Sequence, residues 1–457
     1  MPGARLLFMA ALLVGAGAYA QTAVVVASIP PIEAPAEQTE GTPEGADGPA
    51  PTTASTDLSE DALKVPSRTA APPIADARPL KPEDDLIARA WLDGEGHLAI
   101  GPRNQPRRLT IDVPLQNKLT AILRRYQTPY GAVVALDPKT GRVWAMAEHS
   151  EARPDLRGLA VKAIFPAASV FKLVTTSALL VAGLTPETTE CSHGGKRKLT
   201  EAQLKDSEDD HACLTLSDAF AFSANAIFAK LTSRHLTADA LRTWAERFHF
   251  NRPIDFAEPT EPSLCAVPPS GLPLAKTGAG FGDVFLSPLH GAAIAAMVAN
   301  RGLWRDPVLF ADMPLAEPTR VMDEDDAAAL VEMMAETVKV GTARRVFHER
   351  GFQLTDAAGK TGTLADKRPF RDYSWFVGFA PKDDPKVAVA AVIVNDYDWR
   401  IRASWLGREA MRLFLEAEAK KARAAEKAMA AELAATKLAS PSGSDAPASG
   451  TREASRP

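Results

Sequence analysis

Apolar and polar positions along this chain fall into blocks of different period. Two β-type runs at residues 131–136 and 142–147 flank Asp137-Pro138-Lys139-Thr140-Gly141, where Pro and Gly stand at positions a turn favours, so a β-hairpin is predicted. Strand character is expected upstream at Arg108-Leu109-Thr110-Ile111-Asp112, followed by a short helix over residues 115–126. From residue 167 to about 300 the pattern is helical, with the strongest apolar segments at 169–184, 216–231 and 288–299. Strands return at 374–380 and 386–395, two apolar, β-branched runs around Pro381-Lys382-Asp383-Asp384-Pro385. With strands at both ends and helices between, the terminal strands must meet in one antiparallel sheet to bury their faces, which makes the fold class α+β.

The flanks are of another kind. Residues 21–85 are rich in Pro, Ala, Thr and Glu and lack an apolar period, so they are expected to form a disordered acidic linker, with ordered sequence from 86 to about 415. Ahead of the linker, Arg5 precedes an apolar stretch over residues 6–20 ending in Ala18 and Ala20. That pattern predicts a secretory signal with an A-x-A cleavage site, or the start of a membrane anchor if the stretch continues to residue 29. Both readings imply export. At the other end, the Ala/Glu/Lys-rich sequence beyond Trp405 favours a long helix. Its first turns can pack on the sheet, while residues 416–439 are expected as a charged, solvated helix. Residues 440–457, mostly Ser, Pro, Gly and Ala, are assigned no structure.

Length and charge narrow the function. The 457 residues are 46% hydrophobic, enough for one large core or two ordinary ones. Net charge is −5, but residues 21–61 hold eight acids and no Lys or Arg, which leaves +3 on the remainder. So small an excess offers no footprint for nucleic acid. Of three cysteines, Cys191 and Cys213 lie in one polar stretch and could close a loop as a disulfide in an oxidising compartment, leaving Cys265 over. No Cys/His spacing matches a metal site, so no metal is expected.

Ser169-Val170-Phe171-Lys172 places a hydroxyl and an amine three residues apart at the start of an apolar helix, on one face and within reach of each other. A lysine held among apolar side chains such as Phe165, Phe171 and Leu173 can be neutral enough to take the serine proton. Ser-x-x-Lys alone recurs by chance in long chains. Here Ser223-Ala224-Asn225 follows within the helical middle, and Lys360-Thr361-Gly362-Thr363 stands before the late strands. A glycine in a strand lets a ligand approach the backbone, and the Lys and Thr beside it offer a cation and hydroxyls to a carboxylate. A second Lys-Thr-Gly at Lys276-Thr277-Gly278 precedes a glycine-rich stretch and the helix beginning at Pro288, so it is not expected on a substrate strand.

The ordered set Ser-x-x-Lys, Ser-x-Asn and Lys-Thr-Gly resembles that of penicillin-binding proteins and serine β-lactamases. Residues 108–414 resemble penicillin-binding protein transpeptidase domains, with family-like segments that include Gly341-Thr342-Ala343 and Trp375-Phe376-Val377-Gly378-Phe379. Pro166-Ala167-Ala168 departs from the Pro-Gly usual before the nucleophile. The resemblance implies a five-stranded antiparallel sheet flanked by helices plus an all-helical subdomain. It implies Ser169 as nucleophile, Lys172 as base and Ser223 as relay, with Asn225, Lys360, Thr361, Gly362 and Thr363 binding substrate. It also implies peptidoglycan stem peptides as substrate, β-lactams as covalent inhibitors, and chemistry that needs no metal or organic cofactor. D,D-transpeptidation is the expected activity; D,D-carboxypeptidation, β-lactam hydrolysis and a non-catalytic β-lactam sensor or scaffold are the alternatives. No Glu-x-x-Leu-Asn segment follows Asn225, which speaks against rapid β-lactam hydrolysis.

Overall fold

The protein is described by a computed structural model over residues 74–439, apart from 95, 102, 103, 196 and 197. The expected signal or anchor, most of the linker and the 440–457 tail lie outside the described residues. Helix α1 (Val113–Arg125) opens the sheet-bearing part, and strands β1 (Tyr130–Leu136) and β2 (Val143–His149) form the first hairpin. The middle runs through α2 (Lys172–Val181), β3 (Thr189–Ser192), β4 (Ala212–Thr215), α3 (Leu216–Ala221), α4 (Asn225–His235), α5 (Gly271–Gly278) and α6 (Pro288–Ala299). The chain returns in β5 (Ala358–Lys367), β6 (Phe370–Ala380) and β7 (Val387–Asn395) before the long α7 (Ala403–Ala439).

The five long strands form one antiparallel sheet in the order β5-β6-β7-β1-β2, so the two ends of the domain meet along β7 and β1, with Val392 opposite Ala132. Every residue of β1 and β7 is buried. Alternation divides them between two cores: Ala388, Ala390, Val392 and Val394 pack with Ala132 and Val134 on one side, while Val387, Val389, Ala391 and Ile393 pack with Val133 and Ala135 on the other. The first core is closed by α6, which is buried all round and brings Gly291 against Ala390; a Cβ there would lie 3.0 Å from Ala390 Cβ. The second is closed by α1 and the first turns of α7 through Leu119, Leu123, Leu406 and Met411. Side chains 418–433 of α7 are exposed.

Two expectations need correction. Residues 108–112 are not a continuous strand: the ladder ends at Arg108, Leu109 makes a single antiparallel bridge to Phe310, and Asp112 caps α1, its Oδ1 accepting the N–H of Leu115 at 3.0 Å. Order also begins before residue 86, because Ile74, Ala77 and Leu80 are buried and the Leu80 N–H donates to the Arg157 carbonyl. Enough apolar surface is present there to hold the segment on the domain.

Candidate active site

Ser169 lies in a short 3₁₀ turn, Ala168–Phe171, that leads into α2. Three neighbours fix the turn. Trp375 of β6 donates its Nε1–H to the Pro166 carbonyl at 2.8 Å. Gly362 of β5 passes so close that a Cβ would lie 3.3 Å from the Ala167 oxygen. Gly280, at φ +91°, abuts the other side, where a Cβ would fall 2.4 Å from the Ala168 oxygen. Ala168 itself sits at φ +49°, in the left-handed region where glycine is favoured.

Lys172 projects beneath Ser169 and is fully buried. Its Nζ lies 3.0 Å from Ser169 Oγ and 2.9 Å from Asn225 Oδ1, and donates to the Ala279 carbonyl. The Phe228 ring is 5.2 Å away, and among the described residues no carboxylate forms an ion pair with the amine. Burial, followed by the charge of Lys360, holds its pKa well below the ordinary lysine range. Lys360, in β5, is buried as deeply above the Phe220 ring; its Nζ donates to the Thr361 carbonyl at 3.0 Å, and burial lowers its pKa to about 7.

The apolar run 216–231 is broken at the Ser-x-Asn motif. Ser223 adopts φ +56°; its N–H donates to Phe220 O and the Ala224 N–H to Ala219 O, the paired bonds of a Schellman C-cap. The break turns the chain, and α4 restarts at Asn225, directed at Lys172. Gly341 docks on the end of α3, where a Cβ would be 2.3 Å from the Ala221 oxygen, and so places Thr342, whose hydroxyl meets that of Thr361.

The helical wall of the cleft is braced by the β3·β4 hairpin, in which Cys191 and Cys213 are directly paired and joined by a disulfide. Buried Lys230 of α4 ties this hairpin and the loop it carries to the helix, donating to the Cys191 carbonyl at 2.9 Å and to Asp210 at 2.6 Å, and lying 2.9 Å from Asp206. Cys265 is free and buried. Lys276-Thr277-Gly278 lies on α5, away from the sheet; its Gly278 carbonyl accepts from Thr175 of α2, supporting the Ser169 helix from behind.

A cleft of about 1010 Å³ is lined by Ser169, Ser223, Asn225, Thr361, Gly362 and Thr363, with Lys172 and Lys360 buried beneath it. All eight residues singled out from the motifs therefore converge on one place. Of the supports, Thr342 falls in the family-like Gly341-Thr342-Ala343 segment, Ala279 and Gly280 fall in the glycine-rich stretch after Gly278, and Lys230 carries no sequence signal. Trp399 and Arg402 of the β7–α7 connection also line the cleft, with no sequence signal. Among the described residues no three His, Cys, Asp or Glu are grouped to hold a metal ion.

A sequence profile of the penicillin-binding protein transpeptidase domain matches residues 131–410. The peptidoglycan D,D-transpeptidase PbpA of Mycobacterium tuberculosis is 31% identical over 317 residues, covering 59% of this chain and 62% of its own. The PbpA of Mycolicibacterium smegmatis is 29% identical over 326 residues, covering 60% and 63%. This chain thus spans about three fifths of the length of these curated relatives. The crystal structure of M. tuberculosis PBPA matches with a TM-score of 0.56 at 27% identity, over 67% of this chain and 82% of that one. Its imipenem acyl-enzyme complex matches at 0.54 and 28% identity, over 68% and 79%. By sequence profile and by fold, this chain belongs to the penicillin-binding protein transpeptidase family.

Proposed function

We propose that this protein is a peptidoglycan D,D-transpeptidase, exported and acting outside the cytoplasmic membrane on D-Ala-D-Ala stem peptides through an acyl-enzyme on Ser169, and inhibited by covalent β-lactam binding. One observation carries the reading: Lys172 Nζ, buried without a carboxylate, is 3.0 Å from Ser169 Oγ. A neutral amine has two N–H bonds to give, and Asn225 Oδ1 and the Ala279 carbonyl take them. Its lone pair is then left for the serine O–H, the arrangement of a base with its nucleophile.

Ser169 Oγ attacks the carbonyl between the two D-alanines as its proton passes to Lys172. The N–H groups of Ser169 and Thr363 receive the developing oxyanion, the close passage of Gly362 bringing β5 alongside the turn. The C–N bond then breaks, and the proton travels from Lys172 through the Ser223 hydroxyl to the departing D-alanine amine. Thr361 and Thr363 hold the terminal carboxylate of that leaving group, with Lys360 supplying positive charge beneath them. β5 is the edge strand of the sheet, so an extended peptide can lie along its open side. In the second half-reaction an amine of another stem peptide attacks the ester carbonyl and yields a proton through Ser223 to Lys172; the C–O bond to Ser169 then breaks, Oγ takes up that proton, and the new amide departs. The acyl-enzyme complexes of M. tuberculosis PBPA with imipenem and penicillin G support the β-lactam reading.

Mass spectrometry after exposure to a labelled penicillin tests the assignment. The wild-type protein is expected to gain one stable adduct and Ser169→Ala none; an adduct persisting in the variant overturns the role of Ser169.

A further inference from the structure

Beyond the end of the cleft marked by Thr361 and Thr363, a second cavity of about 660 Å³ opens between α7 and the loop after residue 341. The two cavities are contiguous, sharing Thr342, Arg402 and Ser404. The second is basic: Arg345, Arg400 and Arg402 line it, and no carboxylate among the described residues forms an ion pair with any of them. Among the described residues its only lining acid, Glu349, is already held by Arg408 at 2.6 Å. Burial raises the carboxyl pKa of Asp372, and the Arg402 charge nearby offsets part of that rise. Arg402 meanwhile lies over the exposed Trp399 ring at 4.8 Å, which leaves its guanidinium edge open. Three guanidiniums at the mouth of a catalytic cleft, with one neutralised acid among them, are complementary to an anionic ligand.

The position within the reaction says which ligand. Resting on the transpeptidase reading, the attacking amine must approach the ester carbonyl along the path by which the leaving amine departed, because the two half-reactions are the reverse of one another in geometry. The leaving amine departs toward Thr361 and Thr363, so whatever is attached to an incoming amine extends past them into the arginine-lined cavity. We propose that this cavity is the acceptor subsite, and that Arg345, Arg400 and Arg402 select an acceptor peptide bearing free carboxylates beside or near its attacking amine.

The experiment uses the full chain and a D-Ala-D-Ala peptide donor, and measures the ratio of aminolysis to hydrolysis with two acceptors: an amine-bearing peptide with free carboxylates, and the same peptide amidated. In the wild type the acidic acceptor is expected to give the higher ratio. In Arg345→Gln/Arg400→Gln that preference is expected to fall about tenfold, as the loss of charge-assisted contacts at an accessible site implies. Both changed side chains are exposed, and a melting curve checks that the variant folds. A preference unchanged in a folded variant, or no preference in the wild type, overturns the subsite. Acylation by penicillin, followed in parallel, separates the two hypotheses: absence of any adduct in the wild type sinks the transpeptidase reading itself, whereas normal acylation with an unaltered acceptor preference sinks only the acceptor subsite.

Discussion

At the scale of single residues, the backbone beside the chemistry is held where side chains resist it. Ala168, preceding the nucleophile, and Ser223, the proposed relay, have φ of +49° and +56°. An L-residue in the left-handed region costs about 1–2 kcal/mol relative to its ordinary conformation, and at a Schellman C-cap the position usually falls to glycine. Ser223 keeps a hydroxyl there at that cost, which is hard to explain by folding alone. Two substitutions separate conformation from chemistry. Ser223→Gly relieves about 1 kcal/mol in the folded chain and gives back a similar amount as unfolded-state entropy, so its melting temperature is expected to stay close to wild type. Ser223→Ala keeps the strained geometry and loses only the hydroxyl. Both are expected to slow acylation by penicillin about 10²-fold, the usual weight of a positioned proton-transfer group. Full activity in Ser223→Gly alongside a stable fold would remove Ser223 from the mechanism.

At the scale of elements, the site depends on how closely three segments pass one another. Gly280 meets the Ala168 carbonyl, Gly362 the Ala167 carbonyl and Gly341 the end of α3. Gly280→Ala introduces a Cβ 2.4 Å from a backbone oxygen at φ +91°, with no flexible side chain to yield. A cost of about 1–3 kcal/mol is expected from the strain. Displacing the Ser169 turn by a fraction of an ångström is expected to slow acylation by up to about 10²-fold, read from the rate of penicillin adduct formation. Wild-type acylation in this variant would show that the turn is held by Trp375 and β5 without the glycine-rich loop. The same packing explains what the sequence could disclose. Strands β1 and β7 are legible because unbroken apolar runs of that length have one buried solution, covered on both faces. Strand β5 is legible only through Lys360-Thr361-Gly362, since beyond Gly362 its side chains alternate between exposed and half-buried. The left-handed turn between α3 and α4 is not legible, because the polar Ser223 and Asn225 fit a cap or a break without specifying its geometry, and a serine gives no sign of left-handed backbone. Asp112 is ambiguous for a related reason: an Asp closing a strand and an Asp capping a helix look alike in sequence, and the N–H of Leu115 decides between them. The arginine cavity has no signature at all, being assembled from a loop and two separate helices.

At the scale of the whole molecule, the early start of the fold brings a cluster of carboxylates with it. The Ile74 to Ala90 segment is tied to the domain by Glu258, whose Oε1 accepts the Leu86 N–H at 2.8 Å, and Asp85 and Glu148 line the same cavity of about 620 Å³. Glu148 accepts the N–H groups of Gly158 and Ala160, and Arg157 lies 3.9 Å from Asp85, too far to neutralise all three acids. Isolated apolar residues such as Ile74 and Leu80 among prolines carry no period, which is why this strap reads as linker. Burial first, and then the Asp85 charge, push the Glu258 carboxyl up to about 8, so the folded protein keeps its proton well above the pH at which an unfolded chain gives it up. With rising pH the unfolded state therefore binds fewer protons than the folded one, and stability is lost from about pH 4.5 until the folded group titrates near 8. Lys360, lowered to about 7, has the opposite slope above neutrality. A comparison that leaves Lys360 in place cancels it. Glu258→Gln keeps the oxygen that accepts the Leu86 N–H but cannot ionise. Its stability curve against denaturant is expected to coincide with wild type near pH 5 and to lie roughly 2–4 kcal/mol above it by pH 9, less if Glu148 and Asp85 take up part of the titration. Parallel curves across that range would mean that Glu258 ionises at its ordinary value, and that the strap is held by Ile74, Ala77 and Leu80 with no contribution from the proton on Glu258.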